Sequence, residues 1–332
     1  MNNTLVNNTL VNILTYNICW GCFTGSIRDR TARPLANLCL EKKYYNRDKQ
    51  CWQNIIRIIA MNNYDLIATQ ESSNIAQIIY KLKKSKLPNS DIDDFTIENI
   101  KHLRSITYNC DIIDTDITVP ITSFYNEQKF IIKGVKYDDI GLGLWNYSKG
   151  IYNDDPGRPI LILLIKHIKT GKNIIFINVH NVHFRIRPWK TKLHGYDYLT
   201  YRINELLMND KWYNPVSKKH VNLPNLMSAS NKPEIILAGD FNNHYDNYLG
   251  KEIIVSGIPV SARQDNDKYH TSNFPNSCCD KRVPSSNLAK HNDLILASKD
   301  LKYKKKNQRV DNIKSTQYPA SDHYPIMCQL EI

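Results

Sequence analysis

The sequence predicts an α/β protein in which a mixed sheet, or two packed sheets, is flanked by a few helices. Three observations support this. Short apolar runs of strand length recur from one end of the chain to the other, and one of them, NIIFINVH at 173–180, is continuous enough for a strand covered on both faces. Helical apolar stripes are fewer and lie between these runs. No Pro/Gly/Ser linker separates two composition classes, so residues 11–332 are expected to form a single domain after a polar N-terminal repeat at 1–10, which is expected to be disordered.

The elements follow in order. Residues 11–17 (VNILTYN) form a short apolar strand ending on a polar residue. Residues 24–50 are basic, polar and punctuated by Gly and Pro, a loop with some helix. Residues 51–61 place Trp52, Ile55, Ile56 and Ile59 on one helical stripe. Residues 65–69 (DLIAT) are a strand that delivers Gln70 and Glu71 at its end. An amphipathic helix with a lysine-rich tail follows at 72–86, and 87–127 reads as polar and irregular. Strands are predicted at 129–133, 141–147, 159–165 and 173–180, then a helix at 195–209 and a loop at 210–233. The last strands are 234–238, leading into Gly239-Asp240, then 291–297 and 324–330.

The composition narrows the function. The chain has 332 residues, 42% of them apolar, which is ample for a core, and a formal charge of +12. An excess of that sign favours anionic partners: nucleic acid, phosphorylated small molecules or an acidic membrane surface. The 8 cysteines show no zinc-ligand spacing beyond an isolated Cys19-x-x-Cys22. The N-terminus lacks the apolar core of a signal peptide, and no apolar run reaches transmembrane length. An intracellular, reduced protein is the simplest account. The richness in Asn, Ile, Lys and Tyr points to an AT-rich coding genome, as in a virus or a parasite.

Five polar residues, Asn17, Glu71, His180, Asp240 and Asn242, lie at or just past the C-terminal end of a predicted strand. Asp322 and His323 immediately precede one. Loops held by a rigid sheet are where catalytic groups collect, and packed sheets would let these strand ends converge on one edge. The residue types suit cleavage of a phosphate ester with a divalent metal. Such a metal takes hard oxygen ligands, the attacking water needs a base, and the leaving oxygen needs its charge neutralised. Taken singly, each has a structural reading: Asp240 could build an Asx turn, and Glu71 could favour a helix N-terminus.

The ordered set LTYN (14–17), QES (70–72), GRPILIL (157–163), NVH (178–180), GDFNN (239–243), HNDLIL (291–296) and SDH (321–323) resembles the endonuclease/exonuclease/phosphatase superfamily and spans nearly the whole chain. The resemblance implies a four-layered α/β sandwich, two packed mixed β-sheets flanked by helices, and Mg²⁺- or Mn²⁺-dependent phosphoester hydrolysis. It implies that Glu71 is the principal metal carboxylate and that Asn17 holds the metal or orients its shell. Asp240 and Asn242 would orient the nucleophilic water and contact the phosphate. Asp322 would be a second metal-side carboxylate or the partner that orients His323. His323 would act on the phosphate or as general base, with Asp293 paired to it. His180 would be an acid or phosphate ligand, a role that His183 nearby could also fill.

The loop carrying Arg185, Arg187, Trp189 and Lys190 could grip phosphates and stack on a base. Arg158 is assigned no chemistry. The lysine runs at 81–86 and 302–306 read as solvated faces. Within the superfamily, HNDL at 291–294 departs from the inositol-polyphosphate phosphatases and Phe241 from the tyrosyl-DNA phosphodiesterases, while GDFN fits nuclease-like members. The reading is therefore an intracellular nuclease or nucleic-acid phosphodiesterase, with DNA rather than RNA as partner, no transmembrane segment and no protein partner implied. The alternatives are a phosphatase or phospholipase C-type hydrolase of a small or lipid phosphoester, and a non-catalytic nucleic-acid-binding scaffold.

Overall fold

A computed structural model of the chain describes residues 9–18, 50–72, 75–84, 92–111, 118–140, 144–146, 151–153, 158–181, 186–188, 195–224, 226–228, 232–241, 252–262, 293–310 and 325–332. In chain order the elements are β1 (Leu10–Asn17), α1 (Gln50–Ala60), β2 (Leu66–Gln70), α2 (Ile75–Lys83), α3 (Asp94–Ile100), β3 (Leu103–Asp111), β4 (Thr118–Asn126), β5 (Phe130–Ile140), β6 (Leu144–Asn146), β7 (Ile151–Asn153), β8 (Arg158–His167), β9 (Asn173–His180), β10 (Ile186–Pro188), α4 (Gly195–Met208), β11 (Lys211–Asn214), β12 (Lys219–Asn222), β13 (Glu234–Asp240), β14 (Glu252–Val255), β15 (Ile258–Ser261), β16 (Asp293–Ser298), β17 (Lys302–Arg309) and β18 (Ile326–Glu331).

They build a six-stranded sheet, β17-β18-β1-β2-β4-β3, a nine-stranded sheet, β12-β11-β5-β8-β9-β13-β16-β15-β14, and a small sheet, β10-β6-β7. Both large sheets are mixed: β1–β2 and β9–β13 are parallel, while β18 and β16 run antiparallel beside them. Alternation of side chains along each strand gives each large sheet two apolar faces. Val11, Ile13, Leu66 and Ala68 of one sheet meet Phe176, Ile236, Ala238 and Ile295 of the other across the central gap. The outer face of the six-stranded sheet, with Leu14, Tyr16, Ile67 and Phe124, is covered by Ile55, Ile56 and Ile59 of α1, Ile75 and Ile79 of α2 and Ile100 of α3. The outer face of the nine-stranded sheet is covered by Leu199, Ile203 and Leu207 of α4. The result is four layers, helix, sheet, sheet, helix. Each fully buried Ile or Leu in them contributes roughly 1.5–3 kcal/mol relative to exposure.

Several stretches differ from the sequence reading. Residues 87–127, read as irregular, contain α3 and the β3–β4 hairpin at the edge of the six-stranded sheet. The polar appearance misled because β4 buries Thr122 and Ser123 completely, and Thr122 is hydrogen-bonded to Thr107 and Ser72. Residues 210–233, read as loop, hold the β11–β12 hairpin. It is seated by Trp212, which is 1% exposed and packs on Gly134, where a Cβ would come within 2.9 Å of it.

Of the strand expected at 141–147, Leu144–Asn146 is described and belongs to the small sheet, while 141–143 and 147 lie outside the described residues. The lysine run at 302–306 lies in edge strand β17, where Lys302, Lys304, Lys305 and Lys306 are exposed and Lys304 pairs with Glu331. Lysines on an exposed edge discourage pairing with another chain. Leu10 also belongs to the sheet, opening β1, and just before it the Thr9 carbonyl accepts a hydrogen bond from the Ile332 N–H at 3.0 Å. Residues 1–8, 24–49, 85–91 and the Cys19-x-x-Cys22 segment lie outside the described residues.

Candidate active site

The alternation that makes the core apolar changes character at one end of the sandwich. In β1, Val11 and Ile13 face the gap between the sheets; in β9, Ile174 and Phe176; in β13, Ile236 and Ala238; in β16, Ile295 and Ala297. Continued by steps of two, the same face presents Asn17, His180, Asp240 and Asp293 at the strand ends. Strand β2 follows suit with Leu66, Ala68 and then Gln70. Pairing registers bring these ends side by side. Asp240 is opposite His180 on one side and Asp293 on the other, and Asn17 is opposite Gln70.

The two rows meet across the gap. Asn17 Nδ2 donates to Asp240 Oδ2 at 2.9 Å and to Glu71 Oε1 at 3.3 Å. His180 Nε2 lies 3.7 Å from each of those same two oxygens. Asn17, His180, Asp240 and Asp293 are almost wholly buried, whereas the Glu71 side chain is 29% exposed. The cluster thus has one open side, at Glu71.

Two backbone features set this geometry. Gly239 adopts φ 155°, and a Cβ there would stand 2.0 Å from the Val179 carbonyl oxygen. Only glycine lets β13 approach β9 this closely, so it is a condition for Asp240 to lie beside His180. Glu71 has φ 52°, the left-handed region that non-glycine residues rarely occupy. The sharp turn is held by its neighbour: Ser72 N–H donates to the Pro120 carbonyl at 2.9 Å and Ser72 Oγ to Thr122 Oγ1 at 3.0 Å. Local strain of this kind persists where surrounding structure enforces it, often at functional sites.

Beneath the cluster a buried polar bridge joins the sheets. Gln70 Nε2 donates to Asn178 Oδ1 at 2.8 Å, and Asn178 Nδ2 donates to the carbonyls of Thr122 at 3.0 Å and Thr69 at 3.3 Å. Both side chains are fully buried. The sequence marked these residues only as the first letters of QES and NVH. The available signal was one amide inside an otherwise apolar run, NIIFINVH.

Arg158 is a second residue the sequence left without a role. Its Nη1 lies 3.0 Å from His180 Nε2 and 3.5 Å from Nδ1, and its buried Nε makes no hydrogen bond among the described residues. His180 therefore stands between one permanent cation and two carboxylates. A contrasting buried carboxylate is Asp65 at the opposite end of the sheet. It is saturated by Asn12 N–H, Asn126 Nδ2 and Lys129 Nζ at 2.8–3.0 Å, a structural arrangement with nothing left to bind.

Of the residues singled out in the sequence, the structure brings together Asn17, Glu71, His180, Asp240 and Asp293. Asn242, Asp322, His323, Arg185, Trp189 and His183 lie outside the described residues. Arg187 is in β10, paired through the backbone with Trp145. Among the described residues, no three His, Cys, Asp or Glu side chains group as a ready metal site.

The architecture matches solved structures over almost its whole length. An endonuclease/exonuclease/phosphatase from Bacteroides vulgatus aligns over 98% of this chain and 99% of its own, with a TM-score of 0.52 at 16% identity. The mannosyl-6-phosphatase of Bacteroides thetaiotaomicron aligns over 96% and 99%, with a TM-score of 0.51 at 16% identity. ANGEL2, a 2′,3′-cyclic phosphatase solved with adenosine-2′,3′-vanadate, aligns over 98% and 97%, with a TM-score of 0.52 at 15% identity. No protein-family model matches the sequence, and no curated protein matches it significantly. The chain has the endonuclease/exonuclease/phosphatase fold, two mixed sheets with flanking helices. No helix among the described residues is long and apolar enough to cross a membrane.

Proposed function

We propose that this protein, which carries the endonuclease/exonuclease/phosphatase fold, is a divalent-metal-dependent phosphodiester hydrolase that cuts nucleic acid inside the cell, DNA in preference to RNA. The observation that carries the reading is the meeting of Asn17, Glu71, His180 and Asp240, drawn from both sheets with 223 residues between first and last. Apolar strands have no structural need for two carboxylates sharing one amide donor at their ends. The net charge of +12 suits a polyanionic substrate.

The donor set fits a hard cation. Mg²⁺ and Mn²⁺ take one or two carboxylates and keep several waters. Here Glu71 Oε1 and Asp240 Oδ2 converge on a single amide, 3.3 and 2.9 Å from Asn17 Nδ2, and Glu71 opens to solvent. Glu71 would hold the metal, with Asn17 and Asp322 beside it. Once bound, such an ion polarises phosphate oxygens and lowers the pKa of an attached water.

The protein's own groups supply the rest. Asp240, fixed by Asn17, orients the attacking water together with Asn242. His323, oriented by Asp293, accepts its proton or contacts the phosphate. His180 and Arg158 face the oxygens on which charge accumulates, where fixed donors in a water-poor site are worth most. Arg185, Arg187 and Trp189 contact the flanking substrate.

A second reading, hydrolysis of a small phosphoester, draws support from the structural neighbour that is a mannosyl-6-phosphatase. A panel of labelled single-stranded, duplex, abasic and 5′-blocked DNA and RNA, beside small and lipid phosphoesters, separates the two. Incubation is with Mg²⁺ or Mn²⁺, and in parallel with chelator. Cleavage of DNA that chelator abolishes is the expected result. Phosphate release from small esters with every nucleic acid intact selects the second reading. Salt-sensitive DNA binding unaffected by chelator and by Asp240→Asn, with no hydrolysis of any substrate, leaves only a binding scaffold.

A further inference from the structure

A cavity of about 470 Å³ lies apart from the cluster, between β5, the C-terminal half of α4 and the β11–β12 hairpin. Its size is that of a small-ligand pocket. The side chains that give it chemical character are Lys136, Tyr137, Arg202, Lys211, Tyr213 and His220.

The aromatic walls come from two directions. Tyr213 and His220 stand edge to face across the hairpin, their ring centroids 5.7 Å apart. Tyr137 stacks on Tyr108 from the other sheet, centroids 4.7 Å apart at 25°, yet it is 54% exposed. Its ring is held in place while much of its surface remains open. A fixed, exposed aromatic face is a stacking platform, and every nucleobase offers a π-face to it.

The cations are held as well. Lys136 is 7% exposed. Its Nζ donates to the carbonyls of Leu206 and Asn209 at the end of α4 and lies 4.5 Å from the centroid of the Trp212 ring. Arg202 is clamped by Asp138 and Glu205. Lys211 is exposed on the lip. Among the described lining residues Lys136, Arg202 and Lys211 are basic and Glu205 is acidic. Arg202 is already paired with two carboxylates and burial brings the Lys136 ammonium down to about 8, so the cation open to a phosphate is Lys211. Among the described lining residues only Val135 and Leu206 are aliphatic, too little for a lipid chain. A bare anion would leave the aromatic walls unused.

Position ties the cavity to the cluster. Ile140 of β5 pairs with Arg158, which touches His180. Tyr137 lies three residues further along β5, so strand rise and spacing put the cavity mouth about 15 Å from His180. That is a few nucleotides of extended strand.

We propose that this cavity is a non-catalytic nucleoside-phosphate site, filled by one unit of a single-stranded nucleic acid whose scissile bond lies at the Asn17–Glu71–His180–Asp240 cluster. The strand as the source rests on the phosphodiesterase reading above; the nucleoside-phosphate chemistry of the cavity does not.

The test is equilibrium binding by fluorescence anisotropy, with the full chain in chelator so that hydrolysis plays no part. The probes are a labelled single strand of about 12 nucleotides, a labelled trinucleotide, and AMP as competitor. Lys211→Glu and Tyr213→Ala are each expected to weaken the long strand about tenfold, the loss of one stacked or ion-paired unit. The trinucleotide, which can occupy the cavity by itself, is expected to lose affinity in the same two variants. AMP competition that the same variants abolish, with the long strand unaffected, assigns the cavity to a free nucleotide and overturns the strand as its source. The proposal is overturned entirely if wild type binds neither probe nor AMP. It is also overturned if both variants, melting as wild type does, bind all ligands with wild-type affinity. Loss of hydrolytic activity in the substrate panel changes none of these outcomes.

Discussion

Asp240 lies directly opposite His180 in the parallel β9–β13 pairing, its Oδ2 3.7 Å from the imidazole Nε2. The Arg158 guanidinium closes on the same ring from the β8 side at 3.0 Å. An acid, a base and a cation thus share one corner, with the imidazole as the common neighbour.

Arg158 is expected to matter for rate more than for stability. Arg158→Ala removes the cation beside His180 and the charge available to a phosphate oxygen. The turnover number should fall roughly 10²-fold, with a partial recovery in Arg158→Lys, which restores charge without the planar fork. Steady-state kinetics on a phosphodiester checks this. An unchanged rate in the Ala variant would assign Arg158 to packing.

Gly239 should tolerate nothing larger. Gly239→Ala places a Cβ 2.0 Å from the Val179 carbonyl oxygen at φ 155°, so β13 must move away from β9. Urea unfolding should show a loss of about 3 kcal/mol or more, and activity should be lost with the register of Asp240 against His180.

The Gln70–Asn178 bridge holds the sheets at a fixed separation beneath the cluster. Asn178→Leu leaves Gln70 Nε2 without its 2.8 Å acceptor and takes from the Thr122 carbonyl one of two side-chain donors, Thr69 Oγ1 remaining at 3.0 Å. Each buried group left unmet costs about 1–3 kcal/mol. The variant should unfold at lower urea, and its residual activity should be reduced because Glu71 directly follows Gln70.

Acid should weaken the fold before it reaches the carboxylates. Burial, and next the Lys129 ammonium, push the His167 imidazole below its ordinary value, in keeping with Nδ1 accepting the Thr170 N–H at 3.2 Å. Burial lowers His102 in the same sense. The unfolded chain therefore takes up protons at a pH where the folded chain does not. Stability should decline as pH falls below the ordinary histidine value of 6.5 and level off below the folded values. Melting temperatures between about pH 7.5 and 5 follow this, and His167→Gln should shallow the decline. An equal slope in both proteins contradicts it.

The legibility of the molecule divides along physical lines. Strands β9 and β13 were plain because continuous apolar runs end abruptly on His180 and Asp240. The break in pattern marks both the strand end and the chemistry. Helix α1 was plain because Ile55, Ile56 and Ile59 repeat at helical spacing. The β3–β4 hairpin was hidden because β4 buries the polar residues Thr122 and Ser123, the first hydrogen-bonded to Thr107 and Ser72, and composition reads such residues as surface. Strand β17 was hidden because an edge strand can be all lysine on its open side, and strands β7 and β10, three described residues each, are too short to show a period. Arg158 was named within GRPILIL but given no chemistry, because a lone arginine at a strand start has no pattern. Its meaning lies in proximity to His180, which only the β8–β9 pairing supplies.

The most direct test of the account is metal-dependent cleavage of a labelled phosphodiester by wild type, Glu71→Gln and Asp240→Asn, each shown by circular dichroism to melt normally. The account predicts that wild type cleaves with Mn²⁺ and stops on chelation, and that each variant loses about 10²–10⁴-fold in rate. Wild-type rates in both variants, or undiminished cleavage in chelator, would contradict it.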